Sequence, residues 1–146
     1  MIWFNFFYII KSRLLLPTIL NSFLVVSVFA EVENIDNHTL QSLISVGVPI
    51  VDIREDFEWK ETGIVPRSHL ITFFDSEGKY DVKKWLNKVD ELTNEDHSII
   101  IICRSGRRSL ILANYLSDQR KFPKIYNVTD GIKGWKKANF KTQSVE

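Results

Sequence analysis

The stretch that most restricts what this chain can become runs from Ser98 to Leu112 and reads S-I-I-I-I-C-R-S-G-R-R-S-L-I-L. Four consecutive isoleucines are too short a run for a helix, and their branching at Cβ suits an extended backbone. Apolar on both faces, they predict a strand buried on both sides, as in a parallel sheet. The run stops at Cys103. A polar loop follows, carrying Gly106 and three arginines, Arg104, Arg107 and Arg108, and Ser109 opens an amphipathic helical pattern. A buried strand therefore delivers a lone cysteine to the start of a helix.

That placement has chemical consequences. The thiolate is the reactive form of cysteine, and an unperturbed thiol is ionised only to a few per cent at pH 7. Free backbone N–H groups, the positive end of a helix and the cationic side chains of Arg104, Arg107 and Arg108 all favour the anion. Gly106 permits backbone conformations in which successive amides turn inward as a nest for an anion, with Ser105 and Ser109 alongside. The competing reading is a core cysteine packing as a small apolar group.

Strand-C-R-S-G-R-R-S-helix resembles the active-site loop of the rhodanese family, sulfurtransferases that carry sulfur as a cysteine persulfide. In that family a small residue closes the loop and opens the helix, the position of Ser109. Cysteine-dependent phosphatases also cradle an oxyanion over a thiolate, but their signature places an arginine six residues after the cysteine. This chain has Ser109 there, and Arg108 stands one residue too early. The spacing favours a sulfane-sulfur site over a phosphate cradle.

Composition narrows the function classes. The chain has 146 residues, 45% of them apolar, enough for one packed domain. Of its 19 lysines and arginines only Lys11 and Arg13 precede residue 31, leaving 17 against 18 acidic groups beyond it. That balance offers no footprint for nucleic acid or for a polybasic membrane contact. A single cysteine excludes an internal disulfide and a cysteine-cluster metal site, and it leaves Cys103 without a resolving thiol in its own chain. His38, His69 and His97 show no metal-ligand spacing, so neither a metal nor another cofactor is expected.

Residues 1–30 are rich in apolar residues and carry charge only at Lys11 and Arg13, and Val28 and Ala30 satisfy the small-residue rule for cleavage before Glu31. They are expected to be a signal peptide, giving an exported, periplasmic protein. The alternative is an uncleaved membrane anchor with the domain outside the cytoplasm, although the apolar run from Leu14 to Ala30 is at the lower limit for spanning. Residues 31–146 then form the domain.

Within it, element types alternate. Val32 to Ile35 suits a short edge strand, and Asp36 or Asn37 can cap a helix through about Val46 that Gly47 ends. Val48 to Ile53 is a strand whose end places Asp52 and Arg54 on one side. In the resemblance, D-I-R-E matches the family's early D-x-R motif near the reactive loop. A supporting role at the site and a structural ion pair both stay open. A helical turn over Asp56 to Glu61 follows. The family usually has histidine at Ile64 and glycine at Arg67, so no role is borrowed for that loop. His69 is expected to pack in a strand. Asp81 to Leu92 has helical spacing, Lys124 to Val128 reads as the last strand, and Asp130 to Trp135 resembles the family's closing glycine and tryptophan motif. The tail after Phe140 is expected to fray.

Alternating strands and helices in so short a chain imply an α/β fold, a small parallel five-stranded sheet with helices on both faces. Ligands of such sheets bind beyond the carboxyl ends of the strands, where Cys103 and Asp52 to Arg54 both fall. The resemblance implies a thiosulfate sulfurtransferase. Cys103 would take sulfur from a small anionic donor, with Arg104, Ser105, Gly106, Arg107, Arg108 and Ser109 binding it. Cyanide, a thiol or a protein acceptor would then remove the sulfur. A partner-dependent sulfur carrier is the alternative, and a phosphatase or arsenate reductase is disfavoured by the loop spacing.

Overall fold

The computed structural model describes residues 31–93, 97–119 and 121–146. Residues 1–30, expected to be a signal peptide, lie outside the described residues. Five strands, β1 (Glu31–Ile35), β2 (Ile50–Asp52), β3 (His69–Leu70), β4 (Ile99–Ile102) and β5 (Lys124–Val128), form one sheet in the order β1-β5-β4-β2-β3. Every pairing is parallel. The helices between and after them are α1 (Asn37–Ser45), α2 (Asp56–Thr62), α3 (Val82–Asp90), α4 (Arg107–Asp118) and α5 (Gly131–Lys137).

The isoleucine run explains the layering. Ile99 and Ile101 enter a core with Trp85 and Val89 of α3 and Leu112, Ala113 and Leu116 of α4. Ile100 and Ile102 point the other way, toward Leu40 of α1 and Ile132 and Trp135 of α5. Side chains alternate across a strand, so a central strand with helices on both faces must be apolar at every position. All four isoleucines are fully buried. The chain leaves β2 for β3 on one side and leaves β4 for β5 on the other. The crevice between the carboxyl ends of β2 and β4 is thus a topological switch point.

Several elements differ from expectation. The strand expected over Val48 to Ile53 is confined to Ile50–Asp52. Helix α4 begins at Arg107, because Gly106 in the left-handed region (φ 82°) starts the helical turn two residues before Ser109. His69 is exposed, not packed, since β3 is a two-residue edge strand with little sheet to cover it. The tail does not fray. Ile64 and Gln143 exchange both backbone hydrogen bonds (2.9 Å each) in an antiparallel bridge, and Thr142 sits against Gly63.

Asp36 is the N-cap of α1, its carboxylate accepting the Thr39 amide at 2.8 Å. That bond, made at a fully exposed position, holds the Asp36 carboxyl below its ordinary range.

Arg67 holds φ 71°, a left-handed conformation costly for any residue bearing a Cβ. Its side chain donates an exposed hydrogen bond to the Ile44 carbonyl at 3.3 Å. Arg67→Gly is therefore expected to stabilise the domain by about 1 kcal/mol, seen as a higher melting temperature. A lower melting temperature would show that the Ile44 contact outweighs the backbone strain.

Candidate active site

Cys103 follows β4 immediately and is 1% exposed. The two peptide groups after it are fixed by α5: the Ile132 amide donates to the Cys103 carbonyl (3.0 Å), and the Lys133 amide donates to the Arg104 carbonyl (3.2 Å). No peptide bond is cis among the described residues. In a trans peptide the N–H points opposite to the C=O, so the Arg104 and Ser105 amides face away from α5. The loop is thereby polarised, with its carbonyls spent on one helix and its first two amides turned the other way.

Two glycines make this geometry possible. A Cβ on Gly106 would lie 1.9 Å from the Thr129 carbonyl oxygen, and one on Gly131 would lie 2.3 Å from the Cys103 carbonyl oxygen. Both have positive φ, 82° and 55°. The cysteine loop and the β5–α5 turn thus interlock backbone against backbone, which only glycine allows.

The arginines divide by role. Arg108 makes a fork with Glu58, its Nη1 and Nη2 donating to Oε2 and Oε1 at 2.9 and 2.7 Å. Glu58 also accepts the Glu55 amide at 3.2 Å. Burial pushes the Glu58 carboxyl up, but the Arg108 bonds, the Glu55 amide and the charges of Arg108 and Arg54 outweigh it and leave it below the ordinary range. The Glu58 bonds in turn hold Arg108 protonated, and the nearby Cys103 adds to this. Arg104 and Arg107 are exposed and make no ion pair among the described residues.

Asp52 and Arg54 are both fully buried and meet as expected. Nε donates to Oδ1 and Oδ2 (2.9 and 3.0 Å) and Nη2 to Oδ2 (2.6 Å). Nη1 donates to Thr62 Oγ1 and the Glu58 carbonyl, and Nη2 to the Gly63 carbonyl. All five guanidinium N–H groups are committed, so Arg54 has no donor left for a ligand. The pair ties β2 to the end of α2, and through Glu58 to Arg108.

Ser109 is fully buried in the first turn of α4. Its Oγ lies 3.3 Å from Cys103 Sγ, 3.1 Å from the Gly106 carbonyl and 2.6 Å from Asn127 Oδ1. Asn127 on β5 donates to Asn34 Oδ1 on β1 at 2.7 Å. The sequence reading missed Glu58, Asn127 and Asn34. Asn127 did carry a signal, since it shares a strand face with Ile125 where an amide is out of place. No group of three or more metal-ligating side chains occurs among the described residues.

Residues 36–138 match the model of the Rhodanese-like domain. The chain belongs to that family. Among proteins similar to this rhodanese-like chain, RC0915 of Rickettsia conorii, an uncharacterized protein, is 35% identical over 108 residues, covering 64% of this chain and 81% of that one. YtwF of Bacillus subtilis, which carries a provisional sulfurtransferase designation, is 34% identical over 86 residues, 59% of this chain and 71% of that one. In fold, the chain resembles a rhodanese-like domain protein from Staphylococcus aureus (TM-score 0.55, 23% identity, 77% of this chain and 99% of that one). It also resembles Rv0390 from M. tuberculosis (TM-score 0.63, 20% identity, 80% and 99%).

The Glu58–Arg108 fork makes a pH-dependent prediction. A carboxyl with a depressed folded-state pKa adds stability that is complete above its unfolded value, about 4.3, and is lost as pH falls through the folded value. Glu58→Gln should cost roughly 1–2 kcal/mol at pH 7, with the gap to the unmodified protein closing below about pH 4. Urea midpoints at pH 7, 5 and 3 measure this, and a gap unchanged at pH 3 would contradict it.

Proposed function

We propose that this protein is a sulfurtransferase that moves sulfane sulfur from thiosulfate or a related donor to a thiophilic acceptor through a Cys103 persulfide. The observation that carries the reading is the polarised loop: directly after the cysteine, two carbonyls are captured by α5 and the partner amides face the opposite way. Membership of the rhodanese-like family supports the same chemistry.

In the first half-reaction the Cys103 thiolate attacks the outer sulfur of thiosulfate. A sulfur–sulfur bond forms to Sγ, the bond to the sulfonate sulfur breaks, and sulfite leaves with the electron pair. Charge then rests on the terminal persulfide sulfur, where fixed amide dipoles stabilise it without reorganising. Arg104 and Arg107, exposed and free of ion pairs among the described residues, attract the dianion. Arg108 is held by Glu58, so its part is to anchor the loop with its charge near Cys103. In the second half-reaction cyanide or a thiolate attacks the terminal sulfur and restores the Cys103 thiolate. The burial of Cys103 favours a donor that presents a single protruding sulfur atom, as thiosulfate does. No acid or base need act on the substrate, because the nucleophiles and leaving groups are already anions.

Export of the domain, through the apolar leader at residues 1–30, fits the same proposal and would place its donors outside the cytoplasm. Incubation with thiosulfate should add the mass of one sulfur atom to the protein, localised to Cys103 by peptide mass spectrometry and removed by cyanide. Cys103→Ser should lose both the adduct and thiocyanate formation. Thiosulfate-dependent turnover that survives Cys103→Ser would overturn the mechanism.

A further inference from the structure

Two asparagines and a serine run in a line from the sulfur to the surface, and the transfer mechanism does not use them. Ser109 and Asn127 are 0% and 2% exposed, whereas Asn34, on edge strand β1, is an exposed residue. Asn34 and Asn127 are register partners across the β1–β5 pair, which sets their amides side by side. Polar groups buried this deeply are costly unless bonded, and here each finds a partner.

The Ser109 hydroxyl has one hydrogen, yet three acceptors surround it: Asn127 Oδ1, the Gly106 carbonyl and Cys103 Sγ. While Cys103 is a neutral thiol, the line is satisfied in one direction. The S–H faces Ser109 Oγ, the Ser109 hydroxyl donates to Asn127 Oδ1, and Asn127 Nδ2 donates to Asn34 Oδ1. Loss of the thiol proton to solvent reverses the demand, because the sulfur anion now needs a donor and Ser109 is the side chain within reach. Turning the hydroxyl to sulfur leaves Asn127 Oδ1 facing a serine oxygen 2.6 Å away with no hydrogen between them. Rotating the Asn127 amide by half a turn cures this, giving Nδ2 to Ser109 and Oδ1 to Asn34. Asn34, in water, then turns its own Nδ2 inward. Both orientations use the same heavy-atom positions.

We propose that Ser109, Asn127 and Asn34 form a reversible hydrogen-bond relay whose direction follows the charge on Cys103, with Asn127 and Asn34 as positioning residues that allow Ser109 to donate to the sulfur anion. The relay makes an exposed residue on the edge strand a control point for a sulfur that is itself 1% exposed. It rests on Cys103 ionising, a premise shared with the transfer reading, but it is measured without any sulfur donor.

Among the described residues, the charged groups around Cys103 are Arg104, Arg107 and Arg108 on its loop and helix, the Asp52–Arg54 pair at the end of β2, Glu55 and Glu58 at the cap and first turn of α2, and Asp130 and Lys133 at the start of α5. Helix α3 presents Trp85 and Val89, which are uncharged. None of these is altered by a change at Asn34.

The test uses the single thiol of the chain, followed by its rate of alkylation with iodoacetamide against pH. Asn34→Asp places an acceptor-only group at the outer end, which locks Asn127 Nδ2 outward and the Ser109 hydroxyl away from sulfur. The half-maximal pH should rise by about half a unit or more, equivalent to a roughly threefold lower rate on the rising limb. The shift should persist in 0.5 M salt, where an exposed charge acting through space is screened within several ångströms. Asn34→Ala removes the outer acceptor and should give no rise. Ser109→Ala should raise the half-maximal pH and Ser109→Thr, which keeps the hydroxyl, should restore it. If Asn34→Asp, folded by circular dichroism, titrates like the unmodified protein, or shifts only at low salt, the relay is refuted. A normal relay with no persulfide would instead refute the transfer reading alone.

Discussion

The site depends on a close approach of two backbones. The loop after Cys103 and the turn after β5 come together at distances that exclude a Cβ on Gly106 or Gly131. That contact lets the first amides of α5 seize the Cys103 and Arg104 carbonyls. Without it the loop peptides could rotate, and an anion would meet carbonyl oxygens as readily as N–H groups. In the proposed mechanism it is the orientation of two peptide planes, more than any side chain, that would separate a cradle for negative charge from an ordinary strand-to-helix turn.

A second layer holds that loop in register with the sheet. Arg54 gives all its donors to Asp52, Thr62 and two carbonyls of α2 and the turn after it. Buried ion pairs gain little net stability over apolar packing, since desolvation offsets the attraction, but removing one partner strands a charge. The pair therefore acts as a rigid joint more than as a source of stability. Helix α2, fixed by that joint, presents Glu58 to Arg108, so a motif on β2 governs the placement of a residue 54 positions later without touching the sulfur.

What was legible in the sequence was local. Four isoleucines define the central strand because no other setting accepts an unbroken apolar strand, and the loop composition marks its end. Asp52 and Arg54 were readable as neighbours from strand alternation, and their exclusion from ligand binding was not, because it takes a count of acceptors contributed by α2. Glu58 looked like one more acid on a surface helix, since its partner lies 50 residues away. The helix start was misplaced at Ser109 because hydroxyl residues are good caps, whereas here a left-handed Gly106 begins the turn and Ser109 is drawn inside. The tail looked free because a single antiparallel bridge leaves no periodic trace.

That bridge bears on where the folding unit stops. The family match ends at residue 138, but Gln143 pairs with Ile64 and Thr142 rests on Gly63, whose carbonyl holds Arg54. Trimming the polypeptide at the conventional boundary would uncover the guanidinium cage from outside, loosening the joint behind the reactive loop while leaving every recognisable motif in place.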